Sequence, residues 1–79
     1  MTRFLLLGRP ECHLCETYRE AFEAHMSGQD YRLDSADVDS RAEWRLRFGT
    51  RIPVLLDAAG RVLDEGCFDA EAFERNRAA

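Results

Sequence analysis

The sequence predicts an α/β fold, a small mixed sheet of four strands flanked by helices in the order β-α-β-α-β-β-α. Three patterns carry that expectation. Phe4-Leu5-Leu6-Leu7 is continuously apolar, as in a strand buried on both faces. A helical stripe separates it from a second strand-like segment, which calls for a parallel pair joined by a right-handed crossover. Two later apolar runs flank the polar turn Asp57-Ala58-Ala59-Gly60, which adds an antiparallel hairpin to the same sheet.

Each element has its own signal. The first strand stops at the turn sequence Gly8-Arg9-Pro10. The following helix places Leu14, Tyr18, Ala21, Phe22 and His25 on one stripe and ends at Ser27-Gly28. Tyr31 and Leu33 alternate with polar residues, after which the apolar phase slips to Ala36 and Val38, predicting a bulge or an irregular end in the second strand. Ser40-Arg41-Ala42-Glu43 matches a capping box, with hydroxyl and carboxylate each satisfying a backbone N–H at a helix start. Trp44 and Phe48 anchor that short helix to the core, and Gly49 ends it. Ile52 to Leu56 and Arg61 to Leu63 form the hairpin. Asp69 caps the last helix, and Phe68 before the cap packs on Phe73 as a hydrophobic staple.

Residues 1–79 make one domain, too short for a second core. With 46% hydrophobic and 33% charged residues, the balance suits a folded globule rather than a disordered chain. A formal charge of −4 lacks the overall basic character of a nucleic-acid binder. Arg41, Arg45, Arg47 and Arg51 form a local basic run, but Asp34, Asp37, Asp39 and Glu43 lie among or just before them, so the run reads as a solvated helix face. All 11 basic residues are arginine, which removes Schiff-base and P-loop lysine chemistry. The apolar run Phe4–Leu7 is too short to span a membrane, and nothing resembles an export signal. A cytoplasmic monomer is expected, with neither membrane nor nucleic acid as partner. Three cysteines are an odd number, and in a reducing compartment they suggest catalytic or metal-binding thiols rather than a disulfide framework.

The chemistry centres on Cys12-His13-Leu14-Cys15, placed where the chain enters the first helix. The first turn of a helix leaves N–H groups unpartnered and carries a partial positive charge, so a thiolate at Cys12 is stabilised there. Cys12 is therefore the expected nucleophile. Attack on a substrate disulfide gives a mixed disulfide, and Cys15, one turn inside, is the resolving thiol that displaces the product. His13 either adds positive charge beside Cys12 or is an exposed helix-start residue. Zinc or iron-sulfur binding is the competing reading, yet His13, His25 and Cys67 offer no second spaced pair for a four-ligand site. Haem attachment is disfavoured because Glu16, not histidine, follows Cys15. A partner-binding adaptor with idle thiols is the third alternative.

Gly8-Arg9-Pro10-Glu11-Cys12-His13-Leu14-Cys15-Glu16, then Asp37-Val38-Asp39-Ser40, Phe48-Gly49-Thr50-Arg51-Ile52-Pro53-Val54-Leu55 and Gly66, resembles the short bacterial glutaredoxin-like proteins of the thioredoxin-fold superfamily over nearly the whole chain. The resemblance implies a thioredoxin-like fold and a thiol-disulfide oxidoreductase acting on disulfide-containing proteins or small thiols. It implies no bound cofactor, with a reductase or glutathione as electron donor. It further implies a cis bond before Pro53, leaving the Ile52 backbone free to pair with an extended substrate; a trans proline starting an edge strand is the alternative. Arg9 occupies the place of the family's cationic residue, suited to a glutathione carboxylate. Gly66 and Asp69 match only part of the glutathione-binding pattern near the last helix. Glu65 stands in place of a glycine and Glu11 adds a negative charge beside Cys12, both unfavourable to a doubly carboxylated ligand. Leu14 replaces the usual aromatic residue. Glutathione thus stands as a candidate co-substrate.

Of the remaining candidates, Cys67 reads as a small buried residue, with a regulatory bond near the dithiol as the alternative. His25 reads as a helix-end residue rather than a ligand. Packing is the default role for Tyr18, and support of the site through its hydroxyl is the alternative.

Overall fold

A computed structural model describes residues 1–79. The chain forms β1 (Thr2–Gly8), α1 (His13–His25), β2 (Tyr31–Asp37), a 3-10 turn (Val38–Ser40), α2 (Ala42–Phe48), β3 (Val54–Asp57), β4 (Val62–Glu65) and α3 (Ala70–Ala78). The sheet order is β2-β1-β3-β4, with β1 parallel to β2 and antiparallel to β3, and β3 antiparallel to β4. Successive side chains of an inner strand point to opposite faces, and both faces of β1 are covered. Phe4 and Leu6 join Tyr18, Phe22, Met26, Leu55, Leu63 and Phe73 on the α1–α3 side. Leu7 joins Val38, Phe48, Val54 and Leu56 on the α2 side. This two-sided burial accounts for the unbroken apolar run of β1.

Several local expectations are corrected. Leu14 is 61% exposed and Ala21 is exposed, so the inward stripe of α1 runs from the half-buried Cys15 through the buried Tyr18, Phe22 and capping residue Met26. The reason lies in Gly8, where a β-carbon would come within 2.8 Å of the Cys15 sulfur. With Cys15 turned toward the end of β1, its neighbour Leu14 is rotated away from the sheet. No bulge interrupts β2, which pairs with β1 in unbroken register from Tyr31 to Asp37. Tyr31 and Leu33 pack on the α1–α3 layer and Ala36 on the α2 layer, so the phase slip marks a change of face. The irregular end does form, because Val38 already belongs to the 3-10 turn. A register shift occurs instead between Leu55 and Leu56, where β3 meets β4.

The capping box at Ser40 is not made. The Ser40 hydroxyl donates to the Asp37 carbonyl at 2.6 Å, and Arg41 takes the N-cap position of α2 without a side-chain cap. The Asp37 carboxylate caps the 3-10 turn, accepting from Asp39 N at 2.8 Å. That turn captures the serine one residue before the N-cap position. Phe48 is buried, whereas Trp44 is half-buried against the same cluster. At the other end, Asp69 caps α3, accepting from Ala72 N at 3.1 Å, and the Phe68 and Phe73 rings lie 5.8 Å apart. His25 ends α1 and also ties it to α3, with Nε2 2.6 Å from a Glu74 oxygen. Burial apart, hydrogen bonds from His25 first and Arg77 next hold the Glu74 carboxyl below the usual carboxylate range.

Candidate functional site

The dithiol sits where the turn after β1 feeds α1. Cys12 is the N-cap residue, in extended backbone conformation, and its sulfur accepts the Cys15 backbone N–H at 3.2 Å. A helix start leaves such donors free, and here one is aimed at the sulfur where thiolate charge would form. Cys15 lies one turn inside, its Cα 5.2 Å from that of Cys12, and the two sulfurs are joined as a disulfide. Both cysteines are half-buried. Gly8, which the sequence presents only as a turn residue, makes room for the Cys15 sulfur. Glu11, immediately before Cys12, has a left-handed backbone with φ of 58°, a conformation costly for a side-chain-bearing residue.

Arg9 is engaged within the chain. Its guanidinium donates to both Asp39 oxygens at 2.8 and 3.1 Å and to the Gly49 carbonyl at 2.7 Å. The turn leading to Cys12 is thereby fastened to the 3-10 turn and to the end of α2. The hydrogen bond from Arg9 holds the Asp39 carboxyl below its ordinary range, and the reciprocal bond raises the guanidinium. Gly49 ends α2 in ordinary right-handed conformation; a β-carbon there would meet the Arg45 carbonyl oxygen at 2.5 Å and the Arg9 guanidinium at 3.4 Å. His13 stands at the helix start with its side chain 98% exposed, Nδ1 3.7 Å from a Glu16 oxygen.

The Ile52–Pro53 bond is cis, as the resemblance implied. Pro53 is buried and its carbonyl accepts from Gly66 N at 2.8 Å, while Ile52 makes no backbone hydrogen bond. Gly66 has φ of 78°, the left-handed region that glycine adopts without strain. The loop it opens is fixed by Asp64, a residue that no local pattern singles out. One Asp64 oxygen accepts from the Tyr18 hydroxyl at 2.7 Å and from Asp69 N at 3.0 Å, knotting α1 to this loop. Burial first, then the Asp64 hydrogen bond, push the Tyr18 phenol well above its ordinary range. Tyr18 is therefore core, and its hydroxyl braces the loop held by Asp64 rather than touching the cysteines. Cys67 is exposed, not buried as read from sequence. Phe68 turns inward onto Tyr18, Phe22 and Phe73, and the alternation leaves Cys67 outside.

A cleft of about 320 Å³ opens beside the two sulfurs, between the start of α1 and the ends of β1 and β2. Cys12, Cys15 and Arg9 line it, whereas Ile52, Pro53, Gly66 and Asp69 do not. No group of three or more His, Cys, Asp or Glu side chains is arranged to hold a metal ion. No helix is long and apolar enough to cross a membrane.

A four-stranded mixed sheet flanked by helices, with a C-x-x-C disulfide at the mouth of α1 and a cis-proline before β3, defines a thioredoxin-like domain. The chain belongs to the Glutaredoxin-like domain family (DUF836), whose pattern it matches over residues 3–74. Among solved structures it is similar to a protein of Nitrosomonas europaea determined by solution NMR, with a TM-score of 0.83 at 20% identity, covering 94% of this chain and 88% of that one. It is also similar to a protein of X. campestris determined by X-ray, with a TM-score of 0.68 at 34% identity, covering 96% and 97% of the two chains. Comparison with curated proteins found no match.

Proposed function

We propose that the protein is a thiol-disulfide oxidoreductase that reduces or exchanges disulfides in proteins or small thiols. The observation that carries this reading is the Cys12 sulfur, at a helix entrance, accepting the Cys15 N–H at 3.2 Å and within bonding reach of the Cys15 sulfur. In the reduced protein, the Cys12 thiolate attacks a substrate disulfide; one substrate half leaves as thiolate and the other stays bonded to Cys12. The Cys15 thiolate then attacks the Cys12 sulfur, the second half leaves, and the intramolecular disulfide closes. Two electrons pass from the dithiol to the substrate, and solvent protonates the released thiolates.

In this reading, Ile52 offers its unpaired backbone groups to an extended substrate beside Pro53, with Gly66 and Asp69 framing the next loop. Arg9 acts by fixing the turn before Cys12, and its pairing with Asp39 reduces its call on a glutathione carboxylate. A reductase or glutathione restores the dithiol, which suits a monomer in the reducing cytoplasm. His13, exposed and turned toward Glu16, acts on Cys12 only through its charge when protonated.

Turnover of a small disulfide, measured with glutathione and separately with a thioredoxin-reductase system, tests the reading. Turnover with at least one donor that disappears in Cys12→Ser is expected. Absence of turnover with both would overturn it.

A further inference from the structure

The cleft beside the sulfurs contains two arginines, yet its free charge is negative. Arg9 is bound to Asp39 and the Gly49 carbonyl, and Arg19 to Glu23 and the Ser35 hydroxyl. Of the three carboxylates on the cleft wall, Glu11 has no ion-pair partner, Glu16 has only the loosely placed His13 ring at 3.7 Å, and Asp37 forms no salt bridge but accepts the Asp39 N–H at 2.8 Å and adds to the field on Arg9. Glu11 is held there by the left-handed backbone that directly precedes the nucleophile, a position glycine would occupy without strain. Both sulfurs, these three carboxylates and a wall formed by Leu6, Gly8 and Ala36 therefore share one concave surface.

We propose that this cleft receives the leaving half of the substrate and selects cationic disulfides over anionic ones, oxidised glutathione among the latter. The inference rests on the oxidoreductase reading and specifies its substrate class. When the Cys12 thiolate forms a bond to one substrate sulfur and the substrate S–S bond breaks, the departing sulfur carries off the electron pair as a thiolate. That new negative charge develops near Glu11, Glu16 and Asp37, which oppose it. An ammonium or guanidinium on the departing fragment offsets the repulsion, whereas a carboxylate adds to it. A polypeptide disulfide flanked by lysine or arginine meets the same requirement.

The test is a single-turnover measurement on the pre-reduced, desalted protein with three symmetric disulfides: cystamine as dication, hydroxyethyl disulfide as neutral probe and dithiodipropionate as dianion. Each rate constant is divided by that of the same disulfide with free mercaptoethanol, which removes intrinsic reactivity. The normalised cystamine-to-dithiodipropionate ratio is expected to be about tenfold or more at low salt and to shrink severalfold at roughly 0.5 M salt. In Glu11→Gln/Glu16→Gln it is expected to fall toward one, a readout insensitive to any uniform change in Cys12 reactivity. A ratio near one in the parent protein, or the dianion reacting fastest, overturns the charge selection while leaving the oxidoreductase reading intact. No reaction with any of the three overturns the oxidoreductase reading, and this inference with it.

Discussion

Replacing Gly8 with alanine adds one methyl group at the closest approach of β1 to α1. The new carbon would lie 2.8 Å from the Cys15 sulfur and 3.3 Å from its β-carbon. Non-bonded heavy atoms settle at about 3.5–4.0 Å, so α1 or the end of β1 must give way by roughly 1 Å. Neither yields freely, because Tyr18 and Phe22, one and two turns beyond Cys15, are 1% and 0% exposed in the core. Gly8 does not have a positive φ, so alanine suffers no backbone penalty and the effect is one of space alone. Overpacking of this kind costs about 1–3 kcal/mol, which for a domain of this size lowers Tm by roughly 5–15 °C. Thermal unfolding of Gly8→Ala in the oxidised protein, where the disulfide keeps the Cys15 sulfur from rotating away, measures that cost against the oxidised parent. The shift should be accompanied by slower closure of the Cys12–Cys15 bond in a single turnover. A Tm within about 2 °C of the parent, with unchanged closure, would refute the packing argument.

Further outcomes are expected at the dithiol and its supports. Cys15→Ser should accumulate a mixed disulfide through Cys12, seen as an added substrate mass in intact-protein mass spectrometry, whereas Cys12→Ser should accumulate none at this site. Tyr18→Phe removes the donor to Asp64 and should cost about 1–2 kcal/mol in urea unfolding, with the loss of order concentrated in the Gly66–Asp69 loop as read by hydrogen exchange. Arg9→Gln should destabilise the protein at neutral pH. Because Asp39 is held below its unfolded carboxylate range, the Arg9–Asp39 contribution is fully present above that range and fades as pH falls through the folded value. The Tm difference between parent and Arg9→Gln should therefore narrow below about pH 4.

The topology was legible because the elements that fix it are short and strongly patterned. A continuous apolar β1, a helix, a second strand and a polar four-residue turn call for a parallel β1–β2 pair and an antiparallel β3–β4 hairpin, both of which form, whereas the placement of β3 beside β1 has no local signal. Cys12, Cys15 and the cap at Asp69 were likewise readable, since their placement depends on local sequence. What escaped the sequence depends on distant contacts. Leu14 looked like core because spacing alone cannot show that Cys15, drawn into the gap above Gly8, sets the rotation of α1. Ser40 looked like a helix cap because a 3-10 turn begun by Asp37 leaves no local trace distinct from a capping box. Asp64 bonds Tyr18 from 46 positions away, and the Arg9 clamp bridges 30 and 40 positions. No one-dimensional pattern announces such pairs. Cys67 lies outside because Phe68 beside it turns inward, a choice its own sequence neighbourhood does not signal.

The most direct test of the account concerns the Cys12 sulfur. In the reduced protein, the alkylation rate of each cysteine is followed against pH by mass spectrometry. Cys12 should react fastest, with a midpoint well below the ordinary thiol value of about 8.5, because the helix-start N–H stabilises its thiolate. Labelling of Cys15 or Cys67 ahead of Cys12, or a Cys12 midpoint at or above the ordinary value, would contradict the account at its centre.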